Sequence, residues 1–147
     1  MKTLGIILSI VLFVCSAYQK AEYSEQTNLI TLMKSRCRGK CPVYELNINS
    51  KGEAVYHGIE NVGMIGIFEF KLNNEELDDL KKRFEELKFL EIKLEGKTKI
   101  RDISYTTLKY KGKSHYYRST WKASPFKSIV EKLDSLIEIK TSTDGKK

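Results

Sequence analysis

Val43-Tyr44-Glu45-Leu46-Asn47-Ile48-Asn49-Ser50-Lys51-Gly52-Glu53-Ala54-Val55-Tyr56-His57 is the stretch on which the fold turns. Its first part alternates, with Tyr44, Leu46 and Ile48 on one side and Val43, Glu45 and Asn47 on the other, the period of a strand with one buried face. The run Asn49-Ser50-Lys51-Gly52 reverses the chain, and Glu53 to His57 returns as a second strand. Strands joined by so short a turn pair antiparallel.

Outward from this hairpin the hydrophobic period switches from strand to helix in an orderly way. Leu29 to Ser35 forms a strand before the hairpin and Met64 to Leu72 one after it, with Phe68, Phe70 and Leu72 on a shared face. Asn73 then caps a helix and Glu76 completes a capping box, after which Leu77, Leu80, Phe84 and Leu87 fall on one stripe. Beyond a basic loop from Lys93 to Arg101, Ile103 to Tyr110 alternates, turns at Lys111-Gly112 and returns through Ser114 to Ser119. Ser124 and Pro125 open a second helix, whose stripe is Phe126, Ile129, Val130, Leu133, Leu136 and Ile137. The order ββββαββα, with hairpins and no crossover helices between paired strands, predicts a two-layer α+β sandwich. Its antiparallel sheet carries both helices on one face.

The start of the chain reads as an address. Lys2 precedes the apolar run Leu4 to Val14, and Cys15-Ser16-Ala17 follows, the charged, apolar, small-residue order of a secretory signal over residues 1–17. The apolar run falls short of the roughly 20 residues that span a bilayer. Cleavage after Ala17 would leave a periplasmic or secreted protein. Alternatively Leu12-Phe13-Val14-Cys15-Ser16 is a lipoprotein signal that anchors the chain to the outer membrane through Cys15, with residues 18–28 as a polar tether; the branched Val14 stands against it. The rest, residues 29–139, holds a single domain, and 140–147 reads as a disordered tail.

Charge and cysteines narrow the classes further. The net charge of +7 comes mainly from scattered lysines, which describes a solvated basic surface more than a focused arginine-lined site. Setting Cys15 aside, Cys37 and Cys41 remain as an even pair in an oxidising compartment, with Gly39 between them to allow the tight turn. A disulfide is the expected state. A zinc site would require further ligands that the sequence does not place at suitable spacing, and a redox pair would want Cys-x-x-Cys before a helix instead of a strand.

With these residues described, the run Cys37-Arg38-Gly39-Lys40-Cys41-Pro42-Val43-Tyr44 resembles the Cys-x-Gly-x-Cys-Pro-x-Tyr signature of an uncharacterised bacterial family, domain of unknown function 6438. Gly52, the capped helix from Asn74 and Asp102 ahead of the next strand extend the resemblance over roughly residues 28 to 138. Ile103-Ser104-Tyr105 stands where that family usually has a proline soon after the aspartate. The resemblance implies exported or lipid-anchored relatives and brings no activity with it.

Catalytic motifs are absent from the sequence. Gly96-Lys97-Thr98 and Gly112-Lys113-Ser114 lack the earlier glycine of a phosphate loop, and no Gly-x-Ser-x-Gly elbow occurs. No cofactor and no metal site is expected. Asp102 reads as a carboxylate that accepts backbone N–H bonds and fixes its loop. The basic and aromatic residues Tyr105, Lys109, Lys111, His115, Tyr117, Arg118 and Trp121 form the candidate binding surface, with alternation read as placing Tyr105, Lys109, His115 and Tyr117 on the sheet face away from the helices. Export removes nucleic acid as the expected partner and leaves the membrane only through a lipid anchor. The function expected is a small envelope binding or interaction module for an anionic polymer or a protein. The alternative is an envelope hydrolase or other enzyme in which Asp102 shares a cleft with His57 or His115.

Overall fold

Six strands, β1 (Ile30–Lys34), β2 (Val43–Ile48), β3 (Glu53–Glu60), β4 (Gly66–Lys71), β5 (Tyr105–Tyr110) and β6 (Lys113–Arg118), form one sheet in the order β4-β3-β2-β1-β5-β6. Every neighbouring pair is antiparallel. Helix α1 (Asn74–Glu86) follows β4 and α2 (Lys127–Asp144) follows β6. This is the α+β order that the periodicity predicts. The structure is a computed structural model, and it describes residues 28–94, 100 and 102–144. The proposed signal with Cys15, residues 18–27 of the tether, Arg101 and the last three residues of the tail lie outside the described residues.

The central hairpin closes through side-chain chemistry. The Asn49 Oδ1 accepts from the N–H groups of Lys51 and Glu53 at 2.9 and 3.0 Å, and Gly52 takes φ +79° with a Cβ there only 3.1 Å from the Leu72 carbonyl. A side chain at Gly52 would therefore meet both backbone strain and crowding. Helix α1 begins with the capping box expected of it, Asn73 Oδ1 accepting from the Glu76 N–H and the Asn73 N–H donating to Glu76, each at 2.8 Å.

The helices cover one sheet face. Ile30, Leu32, Leu46, Ile48, Tyr56, Leu108 and Tyr110 rise from the strands to meet Leu77, Leu80 and Phe84 of α1 and Ile129, Leu133 and Leu136 of α2, all buried. Burying that stripe is what holds each helix in place, since isolated helices of this length are marginal in water. Helix α2 corrects one expectation. It runs through residues 140–144, read from composition as tail, because its inward face continues for another turn: Thr141 is buried and donates to the Ile137 carbonyl at 2.7 Å, and Lys140 pairs with Glu76 of α1 at 2.9 Å. No helix among the described residues is long and apolar enough to cross a membrane.

Candidate functional site

The Cys37 to Cys41 turn joins β1 to β2, and its two cysteines are bonded to each other. Asn61 donates to the Cys41 carbonyl at 3.1 Å and the Arg38 N–H donates to the Asp102 carbonyl at 3.2 Å. Asp102 thus braces this turn through its backbone, with φ +69° and an exposed side chain. The sequence reading assigns its carboxylate to fixing its own loop, whereas the contact to this turn is made by its main chain.

Immediately after the turn, the alternation of β2 sends Tyr44 inward beneath α2. Its hydroxyl donates to Asp134 Oδ1, and Lys34 of β1 donates to the other oxygen of that carboxylate at 2.8 Å. The Lys34 ammonium also lies 5.1 Å above the Tyr44 ring. Burial first, and then the Asp134 charge, push the Tyr44 phenol far above its ordinary pKa. It therefore stays protonated, which suits it to donate a hydrogen bond and not to act as a base.

Next to this trio runs a line of hydroxyls. Ser104 Oγ donates to the Ser35 carbonyl at 2.8 Å and contacts Ser119 Oγ at 3.0 Å, while Ser119 Oγ contacts Thr106 Oγ1 at 2.9 Å. A hydroxyl has one proton to give. Ser104 spends its proton on Ser35, so Ser119 donates to Ser104 and Thr106 donates to Ser119.

The β5–β6 hairpin carries the rest of the site, and its register corrects the sequence reading. Lys111 and Gly112 both have positive φ, 45° and 83°, as a two-residue hairpin turn requires. Tyr110 consequently faces Lys113, and Tyr105, Thr107 and Lys109 face Arg118, Tyr116 and Ser114 on the open side of the sheet. His115 and Tyr117 fall on the opposite, helix-covered side, because odd positions in β5 oppose even ones in β6 and a shift of one residue exchanges the faces. His115 is a core residue, stacked on Phe126 at 4.9 Å and edge-on to Phe89 at 4.6 Å, with Nε2 3.1 Å from the Phe89 carbonyl. Lys111 turns to α1 and pairs with Glu85 at 2.7 Å, and Lys109 stands exposed further up the open face.

What the fold does bring together is Tyr105, Tyr117, Arg118 and Trp121, with Tyr117 reaching the cleft from the helix side, joined by Tyr116 and Lys93, which sequence reasoning did not select. Tyr105 and Tyr116 stack at 4.5 Å, nearly parallel. With Lys93, Arg118 and Trp121 they line an open-face cleft of about 410 Å³. The Nε atom of Arg118 is buried and has no hydrogen-bond partner among the described residues. A second cleft, of about 640 Å³, opens on the helix side among Lys34, Pro42, Ser119, Lys127 and Asp134. The two-residue turn at Lys111-Gly112 was the signal that would have selected Tyr116.

The residues required by a hydrolase near Asp102 do not converge. His57 is exposed on the open face of β3, across from Glu45 and Ile67, and His115 is in the core behind β6. Among the described residues no group of three or more His, Cys, Asp or Glu side chains stands close enough to hold a metal ion.

An α+β sandwich with two clefts at the disulfide end of its sheet is the class of domain so defined. Residues 28–138 match the family described as Domain of unknown function (DUF6438), and the chain belongs to that family. No match is found among curated proteins or among solved structures.

Proposed function

We propose that this protein is a small exported binding module of the cell envelope, and that the cleft at Arg118 binds an anionic ligand. The observation that carries the reading is the pair of cations, Arg118 and Lys93, that line one cleft together with aromatic residues. A carboxylate or phosphate oxygen in the cleft would form charge-assisted bonds with the guanidinium and ammonium groups that line it. Tyr105, Tyr116 and Trp121 supply flat apolar walls beside that charge. The net charge of +7 adds long-range attraction for a polyanion.

The test is calorimetric titration of the protein with polygalacturonate, and with neutral dextran as control. Binding should weaken steeply as salt rises, since the field is screened over about 10 Å at 0.1 M. Arg118→Gln should lower affinity by about tenfold or more, the equivalent of one charge-assisted contact. Equal binding by Arg118→Gln and parent, or equal binding of dextran, would remove the reading. The address is part of the same proposal. Intact mass of the protein recovered from cells distinguishes cleavage after Ala17 from a lipid on Cys15, and a full-length N-terminus would overturn export.

A further inference from the structure

We infer that the two clefts are adjoining subsites of one groove and that the ligand is an acidic saccharide chain, its carboxylate held at Arg118 and its hydroxyls in the Asp134 cleft. This rests on the anionic reading of the Arg118 cleft and adds the chemistry of the remainder of the ligand.

Three observations lead there. First, Tyr117, Thr120 and Trp121 line both clefts, so the cavities meet around the end of β6, which is an edge strand and leaves a ligand free to wrap from one sheet face to the other. Each has the volume of an ordinary small-molecule site. Second, the hydroxyl line in the second cleft is one-directional. Ser119, exposed at its end, has given its proton to Ser104 and received one from Thr106, so its remaining lone pair presents a polarised acceptor to the groove. That acceptor favours a ligand group that brings a donor in place of water, as a sugar hydroxyl does and a phosphate chain at neutral pH does not. Third, Trp121 stands at the junction of the clefts, edge-on to Tyr117 at 5.9 Å, where its indole offers a flat platform for the C–H face of a sugar ring. Lys122 and Lys127 on the second rim provide donors for the sugar's own oxygens.

Trp121 is also the one tryptophan of the chain, so its emission reports occupancy of either cleft. The experiment titrates the protein with galacturonic acid, with its hexamer, and with polyglutamate and polyphosphate of matched charge, following tryptophan fluorescence and calorimetry together. The hexamer should bind at least about tenfold more tightly than the monomer, because the second contact becomes intramolecular. Ser119→Ala should weaken the hexamer about fivefold to tenfold and leave the monomer unchanged, as expected for loss of one hydrogen bond in the second cleft. Lys122→Gln, at an exposed position that carries no folding risk, should act in the same direction. Arg118→Gln should weaken both ligands.

Equal affinity for monomer and hexamer would overturn the inference, as would a hexamer indifferent to both Ser119→Ala and Lys122→Gln. Polyglutamate or polyphosphate binding as tightly as the hexamer, still dependent on Arg118, would overturn the saccharide while the anionic cleft stands. If no polyanion binds, both the inference and the function beneath it fail.

Discussion

The helix-covered face of the sheet has two ends built from the same alternating strands, and they are opposites in chemistry. At the end near Ile30 and Tyr110, Phe84 stacks on Tyr110 at 4.2 Å and meets Phe89 edge-on at 5.0 Å, all three fully buried. The polar groups there are tied down, the Tyr110 hydroxyl to Glu85 at 2.9 Å and the His115 Nε2 to the Phe89 carbonyl at 3.1 Å. At the end near Lys34 and Thr106 the same rows carry Lys34, Tyr44, Thr106 and Tyr117, and α2 answers them with Asp134. Strand periodicity fixes which residues face the helices, and it is indifferent to whether they are apolar. The dry end supplies cohesion, whereas the polar end keeps clefts open because hydrogen-bonded groups must hold set distances instead of collapsing together.

The sharpest way to break this comparison is to truncate one aromatic residue at each end. Phe84→Ala should cost about 3–5 kcal/mol in urea unfolding, since its ring is buried among aromatic partners that cannot fill the space. Trp121→Ala, at a position 38% exposed, should cost under about 1 kcal/mol. Equal losses would mean that stability is not concentrated at the apolar end.

Helix α2 spans both ends, and Leu133 and Asp134 are neighbours on it that serve the two differently. Leu133→Ala should cost roughly 2–5 kcal/mol, because the side chain is fully buried. Lys132→Ala beside it loses a long, partly exposed pair with Asp79 at 3.7 Å and a more distant attraction to Glu76, and should cost well under about 1 kcal/mol. Asp134→Ala should fall between them, at about 1–3 kcal/mol, because it strands the buried Tyr44 hydroxyl and removes the partner of Lys34. Combining it with Tyr44→Phe should cost less than the two single losses added together, the signature of a coupled pair. Strict additivity would show that Tyr44 and Asp134 contribute separately.

The apolar end was nearly all legible in the sequence and the polar end was not. Leu77, Leu80 and Phe84 recur at helical spacing after a capping signature, and Tyr44, Leu46 and Ile48 alternate beside a turn, so local pattern identifies elements and their inward faces. The Tyr44 to Asp134 contact joins residues 90 apart in the chain, through the placement of β5 beside β1, and no local period encodes it. Gly58 is a similar case. A Cβ there would stand 1.9 Å from the Met64 carbonyl, a crowding visible only once β3 and β4 are paired. The face assignment of His115 and Tyr117 is different in kind, because the two-residue turn encodes it and the error lay in the register.

A finer test of the same comparison lies at the cap of α1, where the apolar end touches solvent. Asn73→Ala should cost about 1 kcal/mol, the usual value for losing a side-chain N-cap. Its reciprocal partner Glu76 adds a pH dependence. Burial pushes the Glu76 carboxyl up, but the hydrogen bond from Lys140, the Asn73 N–H and the charges of Lys140 and Lys132 together bring it below its ordinary value of 4.5. A carboxyl whose folded pKa is depressed stabilises the protein above its unfolded pKa, and that contribution is lost as pH falls through the folded value. Glu76→Gln keeps an oxygen for the Asn73 N–H and removes the charge that draws Lys140 of α2 to α1. Urea unfolding should therefore show the variant less stable than the parent at pH 7, with the gap closing on acidification below about pH 4.5, where the free carboxyl protonates. A gap of the same size at pH 7 and pH 3 would mean that shape at the cap, and not the charge linking the two helices, is what Glu76 contributes.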